Sequence, residues 1–134
     1  MRVMGVNILA VIVAAIAIYG IEFVIFAVMM TPDQYTALSG YPQTDSAAAM
    51  ARMPFGIIPP LLTAIGLALA IKWRNRPGWM SGLVVGVVLG VLFGLGGSLY
   101  SFVYGPNTVS FIAVNLGHYV VCWAVAGAVL GAWK

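Results

Sequence analysis

Two ionisable side chains interrupt long apolar stretches: Glu22 in the run from Val3 to Met30, and His118 in the run from Val109 to Trp133. A charged group inside a bilayer span costs roughly 2.5–3.5 kcal/mol even on insertion scales, so it faces other helices or water and takes a partner. With 1.5 Å of rise per residue, Glu22 lies about 6 Å outward of a span centred near Ile18, and His118 about 4–5 Å outward of one centred near Val121. Equal depth predicts a contact between them, direct or through water. Asn115 stands three residues before His118 and Tyr19 three before Glu22, each on the same helix face as its neighbour. Ser98, Tyr100, Ser101 and Tyr104 add hydroxyls in the outer half of a third span. Together these residues predict a polar pocket opening outward.

A carboxyl group so placed either takes up a proton or a cationic ligand, as in transporters, or bonds a neighbouring helix and ties the bundle at about 1 kcal/mol per bond. The tie is the more economical reading. Asp33 and Asp45 fall in an outer segment, where they most simply cap short helices, so no Ser-His-Asp arrangement is available to His118. A single cysteine, Cys122, permits no internal disulfide and reads as a small buried apolar residue. One histidine beside one cysteine cannot assemble the usual zinc, haem or iron–sulfur ligand sets, so no metal and no cofactor are expected. With no nucleophile beside a base and no paired acids, an enzyme is not expected either.

These residues must be positioned by a chain that is 63% apolar and only 7% charged over 134 residues, against about 25% charged in a soluble domain. A water-soluble globule is excluded, and the mean hydropathy of +1.06 points to a bilayer. At about 20 residues per span there is room for four helices and little else. The expected fold is all-α: one integral membrane domain, residues 1–134, a four-helix transmembrane bundle with spans at about 4–30, 55–73, 80–103 and 109–133. The first run is too long for a signal-peptide core and is expected to stay as an uncleaved anchor.

Between the first two spans, Thr31-Pro32-Asp33 stops one helix and caps a short one through about Leu38, and Gly40-Tyr41-Pro42 turns the chain. Thr44 or Asp45 caps a restart that leads into the second span. Pro54, Pro59 and Pro60 each remove a backbone donor, so that span should be bent or broken in its first third. Trp73 and Trp79 flank a polar hairpin, and with Tyr35, Tyr41 and Trp133 they are assigned to the membrane interface.

Gly82, Gly86, Gly90 and Gly94, extended by Ser98, recur at a four-residue step. Four residues turn a helix by about 400°, so these positions make one narrow groove without side chains, where another helix can approach closely. The fourth span offers a small face in Ala124, Ala128 and Ala132, with Gly127 and Gly131 beside it. The short connection makes these two helices antiparallel neighbours.

Arg2, Lys72, Arg74, Arg76 and Lys134 fall at one end of a four-span model and only Arg52 at the other. That bias puts both termini in the cytoplasm. The formal charge of +3 is therefore a topology signal, since no interleaved basic and aromatic surface for nucleic acid is present. With no organellar targeting sequence visible, the plasma (inner) membrane of a bacterium is expected.

An opening span with Asn7-Ile8-Leu9-Ala10 and Ala14-Ala15, the glycine-stepped third span, Asn115-Leu116-Gly117-His118-Tyr119, and the closing Gly127-Ala128-Val129-Leu130-Gly131-Ala132-Trp133 resemble a family of small four-span bacterial membrane proteins, domain of unknown function 1761. The resemblance covers most of the chain and implies the four-span architecture alone. Where those relatives tend to carry an aromatic pair after the first-span glycine, this chain has Gly20-Ile21-Glu22-Phe23.

The function expected is that of a noncatalytic integral membrane protein, an accessory subunit of a larger membrane complex or a small homo-oligomer packed through its glycine faces, with membrane lipids as the other partners. The alternative is a proton-coupled small transporter built on the intramembrane carboxylate.

Overall fold

The computed structural model describes residues 2–3, 5–42 and 46–133, with only the backbone of Arg2, Val3, Ser46 and Ala49. The expected cap at Thr44 or Asp45 and the terminal cation Lys134 lie outside the described residues.

Strands β1 (Arg2–Val3) and β2 (Val6–Asn7) form a small antiparallel hairpin, closed at Gly5 with φ +77°, a conformation glycine adopts without strain. Helix α1 (Ile8–Phe23) therefore starts later than hydropathy alone suggests. Its N-cap is Asn7, whose side chain accepts from the Leu9 amide at 3.1 Å. The helix continues as a π-turn over Val24–Val28.

Helix α2 (Pro32–Ser39) opens on a reciprocal capping box, in which the Gln34 amide bonds Thr31 Oγ1 at 3.2 Å and the Thr31 amide bonds Gln34 Oε1 at 2.9 Å. It closes at Gly40, φ +71°.

Helix α3 (Ser46–Arg52) runs through a 3-10 turn (Met53–Ile57) into α4 (Ile58–Arg74), and Met50–Arg74 is one segment long and apolar enough to span a membrane. The break expected in the first third of this span takes the form of the 3-10 turn at Met53–Ile57. Pro54 lies in the first turn of the 3-10 segment and Pro59 and Pro60 in the first turn of α4, where a missing N–H costs no helical bond. The prolines thus mark a change of helix type and leave the body of the span intact.

Helix α5 (Trp79–Tyr104) and helix α6 (Val109–Ala132) follow. Thr108 caps α6 by accepting from the Phe111 amide at 3.2 Å. Four helices are long and apolar enough to cross a membrane: Ile8–Val28, Met50–Arg74, Trp79–Tyr104 and Val109–Ala132. The chain is an all-α, multi-pass membrane protein.

The core is built of small residues. Ala10, Ala14, Ala15 and Ile18 of α1, Ala64, Leu67 and Ala68 of α4, and Cys122, Ala126 and Leu130 of α6 are buried together. Helix α6 is central, with α1 and α4 on one side and α5 on the other.

Along the α5–α6 seam a Cβ on Gly82 would strike the Gly127 carbonyl, one on Gly86 the Trp123 carbonyl, and one on Gly90 would stand 3.0 Å from the Tyr119 carbonyl oxygen. The Gly94 position meets the Tyr119 side chain. The facing surface of α6 differs from the expected alanine row. Ala124 is at the contact, Gly127 and Gly131 form its centre, Ala128 is half-buried and Ala132 is exposed. Backbone can approach backbone only where neither residue carries a Cβ, so the glycines of α6 decide its rotation.

Candidate intramembrane polar site

Glu22 sits in the last turn of α1, just before the π-turn, and His118 at the middle of α6. The structure brings them together: Glu22 Oε1 is 3.2 Å from His118 Nε2. The His118 side chain is only 7% exposed and that of Glu22 is 30% exposed. One proton serves this contact, either on Nε2, which then donates to the carboxylate, or on the carboxyl oxygen, which then donates to Nε2. His118 Nδ1 is buried and has no hydrogen-bond partner among the described residues.

The remaining polar residues divide. Asn115 Nδ2 donates to Ser98 Oγ at 3.3 Å, one turn before His118 on α6, and Ser98 is fully buried as the last small residue of the α5 row. This bond ties α5 to α6. Tyr19 and Ser101 make no hydrogen bond in this group among the described residues. Tyr19 is exposed beside Gly56, Ser101 is half-buried, and Tyr100 and Tyr104 are exposed with ring centroids 4.8 Å apart.

Sequence reasoning missed the aromatic roof. The Phe26 ring stands edge-on to His118 at 5.0 Å and to Tyr35 at 6.1 Å, and Tyr35 meets Phe111 at 5.8 Å. Tyr35, assigned from the sequence to the interface, is 40% exposed and also meets two rings. The π-turn contributes here, since its extra residue rotates the helix surface and so changes the direction of Phe26. Nothing in Val24-Ile25-Phe26-Ala27-Val28 marks that turn in advance.

Helix α2 is held over this end. Thr108 donates through both its hydroxyl, at 2.7 Å, and its amide, at 3.2 Å, to the Leu38 carbonyl. Gly40 lies directly on the Pro106 carbonyl, a place open only to a residue without a Cβ. With Phe26 against it His118 is nearly closed off, while Glu22 keeps 30% of its side chain exposed.

The arrangement can hold one proton between a carboxyl group and an imidazole. Cys122, one turn further in, is turned toward the Ile18 carbonyl at 3.9 Å. Among the described residues no three His, Cys, Asp or Glu side chains converge as a metal site.

Compared with known proteins, the chain matches the model of a family described as a protein of unknown function, DUF1761, over residues 9–131. No curated protein and no solved structure matches it.

Proposed function

We propose, because the chain belongs to the DUF1761 family and carries four membrane-spanning helices, that it is a noncatalytic subunit that joins a larger membrane assembly, of its own copies or with another protein. The reading rests on one observation. Helix α5 leans along α6 and touches α4 only sparsely, and Gly96 and Gly97 on its far side have nothing within 4 Å of their Cβ positions. Leu92, Phe93 and Tyr100 stand exposed around them. Small residues in a span let a second helix approach closely, and the surrounding side chains then interlock with it.

In a bacterial plasma membrane, the location this reading takes, the cation bias favours an orientation with the Lys72–Arg76 end in the cytoplasm. In this reading the Glu22–His118 contact is a structural tie. Native mass spectrometry from mild detergent tests the proposal: a single fixed assembly heavier than the 14.1 kDa chain is expected, and a lone chain across detergents overturns it.

A second reading, proton-coupled transport, is favoured by the unpartnered His118 Nδ1 beside a proton-sharing pair. Proton uptake into proteoliposomes separates the two. Unchanged flux with lowered thermal stability in a Glu22→Gln, His118→Gln double variant leaves only the tie.

A further inference from the structure

At the end of the bundle opposite Glu22, a cavity of about 310 Å³ lies between the start of α1, the end of α4 and the end of α6. Its mouth carries two cations, Lys72 and Arg76, and its inner wall is apolar, formed by Ala10, Ala68, Ile71 and Leu130. Among the described residues that line it, none is acidic.

We propose that this cavity binds the headgroup of an anionic glycerophospholipid, with the phosphate between Lys72 and Arg76 and the glycerol and upper acyl carbons against the apolar wall. Three features carry the assignment. First, the charge sits at headgroup depth: Trp73 and Trp79, on either side of the basic turn, are both exposed, and amphipathic rings of this kind settle at the membrane interface. Second, α1 begins at this cavity, with Val6 and Asn7 in the lining, so the positive end of a 16-residue helix dipole adds to the two side-chain charges. Third, the wall is matched to a lipid. A free phosphate would gain nothing from Ala10, Ala68, Ile71 and Leu130, whereas a phospholipid buries apolar surface there.

The Gly5 turn helps shape the mouth. The Lys72 ammonium lies beside it, 2.9 Å from where a Cβ on Gly5 would stand. The phosphate diester chemistry is common to free and lipid phosphate, and the apolar wall distinguishes them. A basic pocket between spans at the cytoplasmic surface is also where anionic lipids collect electrostatically.

The test is native mass spectrometry of the full chain in a non-ionic detergent, titrated with dioleoylphosphatidylglycerol or with dioleoylphosphatidylcholine. The anionic lipid is expected to be retained roughly tenfold better or more. Lys72→Gln with Arg76→Gln should bring it to the level of the zwitterionic lipid, and Arg76→Gln alone should fall between. Arg52→Gln, at the other end of the bundle, should change nothing. Both replaced side chains are exposed, and an unchanged melting temperature checks that the fold is intact. Equal retention of the two lipids, or a preference that survives the double variant, overturns the proposal. So does displacement of the anionic lipid by millimolar inorganic phosphate, which would assign the cavity to a free anion.

Discussion

Gly82 and Gly127 face each other so closely that a Cβ built on either would strike the carbonyl of the other. The seam between α5 and α6 is therefore backbone against backbone, and dispersion between closely spaced main chains takes the place that side-chain interdigitation has in a soluble core.

Gly82→Ala and Gly86→Ala should each force the two helices apart, because the atoms in the way are main chain and cannot rotate aside. A loss of about 1–3 kcal/mol is expected, in the range of overpacked cores. Gly66→Ala has open space around it and should be neutral or stabilising by up to about 1 kcal/mol. Circular dichroism during unfolding in mixed micelles reads both, and equal effects at the seam and at Gly66 would contradict the packing described.

Replacing Glu22 by Ala strips the partner from a buried imidazole nitrogen. A double-mutant cycle with His118→Ala should give a coupling of about 0.6–1.7 kcal/mol, as for hydrogen bonds between spans. Glu22→Gln keeps an acceptor for Nε2 and should cost less than Glu22→Ala. Additive single effects would mean that the 3.2 Å contact contributes nothing to stability.

Cys122 is fully buried between α1 and α6. Maleimide labelling in mild detergent should therefore be slow and should accelerate sharply on unfolding, making the native thiol a reporter for the variants above. Rapid labelling of the folded chain would place this residue on an open face.

Gly40→Ala should release α2 without unfolding the spans. The substitution meets the Pro106 carbonyl and a left-handed backbone at the same position. Cleavage after Tyr35 or Tyr41 by a protease added to detergent-solubilised protein should become faster, with helix content little changed. Thr31→Ala, which removes the cap, should act in the same direction at about 1 kcal/mol. Unaltered cleavage in both variants would argue against a docked α2.

Gly96→Leu fills the open side of α5 and should dissociate the proposed assembly while leaving the melting temperature of the single chain within error. Persistence of the native mass would remove α5 from the interface.

Much of this protein is written locally. Helix length and hydropathy set four spans to within a few residues, because a bilayer leaves a backbone no other way to satisfy its N–H and C=O groups. Depth along a span follows from residue count, and Glu22 and His118 meet across 96 positions of chain separation. The cap at Thr31 was legible because a side-chain oxygen beside a free amide acts within one turn.

What tertiary structure alone decided is rotation and coverage. Periodicity marked both Ala124-Ala128-Ala132 and Gly127-Gly131 as small faces, and only packing against α5 selected the glycines. The same holds for Tyr35, whose contacts with Phe26 and Phe111 depend on the docking of α2 through Leu38 and Gly40. The π-turn that goes with the place of Phe26 over His118 leaves no mark in an all-apolar run. In each case hydrophobicity says that a face is buried, and the close fit of particular atoms says against what.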